Sequence, residues 1–99
     1  MKIWRQGDVL IRPSKIVEGE EQKNLVLAEG EVTGHAHRIT QGKAQLFKTI
    51  TGLMFLKVIS ESTLSHEEHE DILLPKGDYE IKIQREWDWF SEEVRNVAD

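Results

Sequence analysis

The chain has 99 residues, of which 38% are hydrophobic and 31% charged, and its formal net charge is −5. We predict a single domain over residues 1–99 with one modest core. The acidic balance disfavours long duplex nucleic acid, which usually binds to a broad basic surface. No apolar run approaches the roughly 18 residues of a membrane span. Because the chain has no cysteine and no signal-peptide pattern, we expect a cytoplasmic protein without disulfides or thiolate chemistry.

Short runs rich in β-forming residues alternate with turn signals along the chain, at the spacing typical of sandwiches and barrels. The runs are DVLIRP, NLVLAEGEV, HAHRIT, AQLFKT, LMFLKVI, STLSH, DILLP and DYEIKIQREW. Segments such as TQGK, ISES and PKGD separate them as predicted turns. The sequence therefore predicts an all-β fold of about eight short strands, either a small barrel or a curved sandwich.

Only the carboxyl-terminal tail has the signals of a helix. In SEEVRNVAD, Ser91 is a suitable N-cap, and two glutamates follow in the first turn, where acids suit the helix dipole. We therefore predict a short tail or helix after the last strand. The preceding WDWF gathers three aromatic residues, which either form an apolar dimer patch or cover the core of their own subunit.

The four histidines occur in two tight pairs. In GHAHRI, alternation along a strand places His35 and His37 on one face and Arg38 on the other. In HEEH, His66 and His69 point to opposite faces if the segment is a strand, and to the same side if it is a turn. Their i, i+3 spacing differs from the i, i+4 spacing of the HExxH zinc helix.

Several residues are candidates for binding a phosphate. Arg85 falls on the apolar face of DYEIKIQREW, so it requires an acidic partner or a polar pocket. Arg38 is the second choice of cation. The backbone around Thr33 and Gly34, together with Gln84, completes the predicted substrate-binding set.

Metal-free acid–base catalysis is the first interpretation of the histidines. Imidazole titrates near neutrality, so two positioned histidines can serve as base and acid in one phosphoryl transfer. One would take the proton of a ribose 2′-OH, the other would protonate the leaving 5′-oxygen, and an arginine would stabilise the phosphate. No cofactor is then required. The predicted catalytic residues are His35, His37, His66, His69 and Arg85.

Two other interpretations remain open. Both histidine pairs could ligate one divalent metal ion, as in a cupin-like hydrolase or sensor, with His35, His37, His66 and His69 as ligands. PKGDY is similar to the PxG turn of cupins, although no histidine follows it here. Alternatively, the protein is a non-catalytic module that binds a nucleotide or a protein.

Over nearly its whole length the chain resembles a family of small bacterial and phage proteins. The matching motifs are QGDVLIRP, LAEGEVTGHAHRI, HEEHEDILLPKGDYEIKIQREW and VRNVAD. We associate this family with the CRISPR-associated ring nucleases, which linearise cyclic oligoadenylate second messengers. The resemblance implies a phosphodiesterase that acts on a small cyclic or short oligonucleotide. It also implies a homodimer built around its ligand.

Overall fold

A computed structural model of the protein describes residues 2–30 and 32–84, which form one antiparallel sheet of eight strands. The strands are β1 Trp4–Gln6, β2 Val9–Pro13, β3 Glu20–Glu21, β4 Val26–Glu29, β5 Ala36–Lys48, β6 Met54–His66, β7 His69–Leu74 and β8 Gly77–Ile83. The described part contains no helix, and therefore none that could span a membrane. The predicted all-β fold is confirmed. The sheet does not close into a barrel and corresponds to the curved sandwich.

The predictions made for the end of the chain lie outside the described residues. They are Arg85 as phosphate ligand, the WDWF aromatic cluster and the tail or helix over residues 91–99.

The two long central strands, β5 and β6, organise the sheet. Its order is β1-β2-β8-β6-β5-β3, while β4 pairs with β5 and β7 pairs with β6. Residues 54–58 of β6 pair with β8, and residues 62–66 pair with β7. In the same way, β5 pairs with β4 near its start and with β3 at its end. Each long strand therefore has different neighbours in its two halves.

The segments TQGK and ISES were predicted as turns, but they lie within β5 and β6, which have 13 residues each. The β5–β6 register shifts three times between Ile39 and Ala44, so the pair is bulged where a break was expected. Gly42 has φ +91°, and a Cβ there would collide with the Glu61 carbonyl oxygen. Glycine therefore lets the strand continue through a bend rather than end.

The hydrophobic core draws its side chains from both halves of the sheet. Tyr79 and Ile81 are buried, as alternation along β8 predicts, and the Tyr79 hydroxyl donates to the Pro75 carbonyl over 2.7 Å. The buried cluster consists of Val9, Ile11, Leu27, Ile39, Leu46, Leu56, Val58, Leu64, Leu74, Tyr79 and Ile81. Full burial of each aliphatic side chain contributes about 1.5–3 kcal/mol, so this cluster holds the bent strands together.

Candidate histidine site

All four histidines converge at the end of the β5–β6 pair where β7 begins. His37 is the second residue of β5, while His66 ends β6 directly opposite His69 at the start of β7. Ring centroids are 4.2 Å apart for His37 and His66, and 4.8 Å apart for His66 and His69. His37 and His69 are separated by 5.8 Å, and His35 and His66 by 5.9 Å. The two sequence pairs therefore form one histidine cluster.

The convergence follows from local strand geometry. HEEH is a hairpin whose two central glutamates form the turn, so His66 and His69 are cross-strand partners on the same side. Of the two conformations considered for this segment, the turn is correct. In β5, alternation buries His37, which is 2% exposed, and directs Arg38 toward a cavity on the other face.

Hydrogen bonds from Gln6 fix the tautomer of His37. Gln6 is 2% exposed, and its Nε2 donates to the carbonyls of Leu64 over 3.1 Å and of Glu70 over 2.9 Å. Its Oε1 must then face His37 Nδ1, 2.8 Å away, so this Nδ1 carries the proton. The unprotonated Nε2 of His37 lies 3.7 Å from Asp8 Oδ1. His37 is therefore oriented with a lone pair on Nε2.

The pKa of His37 is lowered from its ordinary value of 6.5. Burial is the largest cause, because it penalises the charged imidazolium, and repulsion from His66 and His69 acts in the same direction. The carboxylates of Asp8 and Glu67 partly oppose this shift. At neutral pH His37 is thus an uncharged proton acceptor.

Glu68 gives the neighbouring imidazoles different hydrogen-bonding states. His35 Nδ1 lies 2.9 Å from Glu68 Oε2, so its Nδ1–H donates to the carboxylate and its Nε2 is left as an acceptor. The backbone N–H of Glu68 donates to His66 Nδ1 over 3.0 Å, which places the proton of neutral His66 on Nε2. The site therefore combines proton acceptors with an N–H donor and an ion-pair partner.

A shallow cavity of about 180 Å³ opens beside His66. Its lining residues are Ala36, Arg38, Thr40, Ser65, His66 and Glu67. The Arg38 guanidinium donates to Glu67 Oε2 over 3.1 Å, and the Ala36 N–H donates to Glu67 Oε1 over 3.0 Å. These contacts lower the pKa of Glu67, with the Ala36 hydrogen bond as the largest cause. A group in this cavity can therefore reach a guanidinium and an imidazole together.

The other predicted binding residues are less closely connected to the cluster. Thr33 and Gly34 are exposed in the loop before β5, and Arg38 donates weakly to the Gly34 carbonyl over 3.5 Å. Gln84 is buried, and its N–H donates to the Asp8 carbonyl over 2.8 Å. Its Oε1 has no hydrogen-bond partner within the described part of the chain.

Sequence reasoning did not find Gln6, Asp8 or the two glutamates as parts of the site. A single glutamine does not form a sequence pattern that could be recognised. The glycines beside the cluster, in contrast, could have indicated the site. A Cβ on Gly7 would lie 2.9 Å from His69 Nε2, and one on Gly30 would lie 2.9 Å from His66 Nε2. The glycines of QGD and EGE are therefore positions where the backbone comes so close to a histidine ring that a side chain would not fit.

The arrangement of the potential ligand side chains disfavours the metal-binding interpretation. Within residues 2–30 and 32–84, no three histidine, aspartate or glutamate side chains are arranged to hold a metal ion. The hydrogen bond to His66 Nδ1 also leaves a proton, rather than a lone pair, on Nε2. The four histidines do not form a ready ligand set in this arrangement.

These features define an all-β protein in which four imidazoles, from buried to exposed, lie beside a cavity that contains the Arg38–Glu67 ion pair. Residues 5–84 match the family described as a domain of unknown function, DUF8820, and the chain belongs to that family. No match was found among curated proteins or among solved structures.

Proposed function

We propose that this protein is a metal-independent phosphodiesterase that opens cyclic oligoadenylates by attack of a ribose 2′-OH on the adjacent phosphate. The observation that carries the proposal is the convergence of four imidazoles held in different hydrogen-bonding states. Acid–base catalysis of this reaction requires a proton acceptor and a proton donor at one phosphate, and such a cluster can supply both.

The exposure of each ring suggests its role. His69 is exposed and His35 is 29% exposed at its side chain, so these two can reach a substrate directly. We assign His69 as the base that takes the 2′-OH proton, and protonated His35, paired with Glu68, as the acid. The 2′-oxygen then bonds to phosphorus, the P–O5′ bond breaks, and His35 gives its proton to O5′. The products carry a 2′,3′-cyclic phosphate and a free 5′-hydroxyl.

The other two rings, of His66 and His37, have supporting roles in this chemistry. His66 lines the cavity, and its Nε2–H can donate to a non-bridging phosphate oxygen. His37 is buried and uncharged at neutral pH, so it adds no positive charge to the cluster. Arg38 supplies the cation that a phosphate requires.

The substrate class comes from the family resemblance and agrees with the charge distribution. An acidic chain with a local guanidinium in a small cavity suits a compact nucleotide better than a long duplex. We infer a homodimer acting in the cytoplasm, where two cavities would face one cyclic ligand. Analytical ultracentrifugation with and without the ligand tests the dimer, which would be refuted by a monomer at every concentration.

The test incubates purified protein with cyclic tetra- and hexa-adenylate, with and without EDTA, and identifies the products by chromatography. Linear products that persist in EDTA support the proposal. His69→Asn and His35→Asn are expected to lower the rate by about 10²- to 10⁴-fold, as removal of a general acid or base does. Glu70→Gln, an exposed change on β7, serves as the control and is expected to retain the rate.

A metal-binding role is the second candidate, because one observation favours it. Both His35 and His37 have Nδ1–H fixed by an oxygen acceptor, which is how metal-ligating imidazoles are commonly oriented. Loss of cleavage in EDTA, with recovery on adding a divalent ion, would favour this role. Tight binding of cyclic oligoadenylate without any product would instead indicate a non-catalytic module.

A further inference from the structure

The carboxylate of Glu67 is held by the kind of donors that proteins use for phosphate. One oxygen accepts the Ala36 backbone N–H over 3.0 Å, and the other accepts the Arg38 guanidinium over 3.1 Å. A backbone N–H and a guanidinium that converge on two oxygens of one anion form a typical oxyanion-binding arrangement. In the free protein, therefore, a side chain of the protein itself fills an anion-binding position.

The surroundings of this position suit a phosphate group. Thr40 and Ser65 add two hydroxyls to the cavity wall, 2.8 Å from each other, and His66 adds an imidazole. The volume of about 180 Å³ is below the roughly 300–1,000 Å³ of pockets that enclose a drug-sized ligand. The cavity therefore fits one small polar group, while the rest of a nucleotide would lie outside it. Among the described residues that line the cavity, Glu67 is the only one with a carboxylate.

We propose that the Ala36 N–H and Arg38 form the phosphate-binding position of the site, and that Glu67 is a built-in competitor which the substrate phosphate displaces. Glu67 is at the hairpin turn and its side chain is 38% exposed, so it can move into solvent. Exposed ion pairs are weak, which makes this displacement easy for a ligand with additional contacts.

Competition from Glu67 affects which anions can bind at this position. A small anion must displace Glu67 with contacts made inside the cavity alone, so the carboxylate competes with it effectively. An oligonucleotide adds contacts outside the cavity and can displace it. The arrangement therefore discriminates against inorganic phosphate in favour of a phosphate embedded in a larger ligand. The nucleotide class rests on the proposed function, whereas the anion position requires no cleavage.

The experiment measures binding of a linear deoxyadenylate tetramer, which lacks the 2′-OH and cannot be cleaved by this chemistry. Isothermal titration at low ionic strength compares wild type with Glu67→Gln and Arg38→Gln. Glu67→Gln keeps the side-chain shape and is expected to bind about three- to tenfold tighter. Arg38→Gln is expected to bind about tenfold weaker. Inorganic phosphate is expected to bind measurably only to Glu67→Gln.

Two charge-matched variants are the controls. Glu70→Gln removes an exposed carboxylate elsewhere on the same hairpin, and Lys57→Gln removes a cation from the exposed pair with Asp78. Both are expected to stay within about twofold of wild type, because neither side chain lines the cavity. Circular dichroism and thermal unfolding establish that every variant is folded before its affinity is compared.

The outcomes separate this inference from the proposed catalysis. Unchanged or weaker binding by folded Glu67→Gln, or wild-type binding by Arg38→Gln, overturns the anion position even if cyclic oligoadenylates are cleaved. If Glu67→Gln does not fold, the affinity of Arg38→Gln alone tests the anion position. Tighter binding by Glu67→Gln in a protein that cleaves nothing supports the anion position and refutes the phosphodiesterase.

Discussion

Replacing Gln6 by leucine tests whether one buried amide both stabilises the fold and orients the site. The substitution keeps an uncharged side chain of similar size but removes three hydrogen bonds, two donated by Nε2 and one accepted by Oε1. The His37 Nδ1–H would then be buried without its acceptor, and the carbonyls of Leu64 and Glu70 would each lose one donor. Each such group costs about 1–3 kcal/mol, so we expect a loss of roughly 2–5 kcal/mol after the gain from leucine burial.

That loss is large for a chain of this size. A domain of this size shifts its Tm by roughly 4–8 °C per kcal/mol, which gives a decrease of about 8–40 °C. Urea unfolding can be followed by the fluorescence of Trp4, which packs edge-on against Tyr79 with ring centroids 5.6 Å apart. Gln45→Leu is the matched control, because within the described residues the Gln45 side chain makes one weak hydrogen bond, of 3.4 Å to Glu21. It is expected to change the free energy of unfolding by less than about 0.5 kcal/mol.

The effect of Gln6 on the orientation of His37 can be measured separately from its effect on stability. Nitrogen-15 chemical shifts of the His37 ring should show the Nδ1–H tautomer in wild type and a mixture of tautomers in Gln6→Leu, because the acceptor that fixes the proton is gone. An unchanged unfolding free energy together with an unchanged His37 tautomer would refute the reasoning.

Three further outcomes are expected from the structure. Because the pKa of His37 is lowered in the folded state, the unfolded chain binds its proton more readily, so the free energy of unfolding should fall as pH drops below 6.5. Urea titrations between pH 5 and 7.5 should show this slope reduced in His37→Asn. Gly42→Ala should cost more than about 2 kcal/mol, because φ +91° is strained for alanine and its Cβ would meet the Glu61 carbonyl. Tyr79→Phe should cost about 1 kcal/mol in urea unfolding, since it removes the hydrogen bond to Pro75.

Each of these outcomes has a control or a contradicting result. An equal pH slope in wild type and His37→Asn would mean that other groups dominate the titration. Gly52→Ala is the match for Gly42→Ala, because it has a similar φ of +95° but open space around its Cβ. If both glycine variants lose the same stability, the collision at Gly42 is not the cause. No loss in Tyr79→Phe would mean that water replaces the hydroxyl.

Periodicity along the sequence was sufficient for the fold class and for the buried face of β8. Alternation in DYEIKIQREW correctly assigned Tyr79 and Ile81 to the buried face, since side-chain direction in a strand follows from sequence alone. The polar segments around Gly42 and Ser60 were wrongly predicted as turns. Polarity and glycine favour a turn locally, but the pairing of β5 with β6 on either side keeps the strands continuous through the bend.

The site was predictable where it depends on neighbouring residues in the sequence. Alternation in HxH placed His35 and His37 on one side, whereas for HEEH the sequence left a strand and a turn as alternatives, and the structure shows the turn. The roles of Gln6 and Asp8 were not predictable, because they arise from strand pairing that joins the chain's beginning to residues far along it. Gln6 contacts Leu64 and Glu70, which are 58 and 64 positions away. No spacing rule connects residues at such distances.

The position of Gln6 in the chain also bears on the order of folding. Strands β4 to β7 are consecutive neighbours, so short connections can bring the four histidines together before the amino terminus docks. Gln6 reaches the histidine cluster only when pairing between distant strands closes a long loop of the chain. Closing a longer loop costs more entropy and is slower. We therefore expect the histidine cluster to form first as a loose group of exchanging tautomers. Docking of β1 then completes the domain and selects the His37 tautomer in the same step.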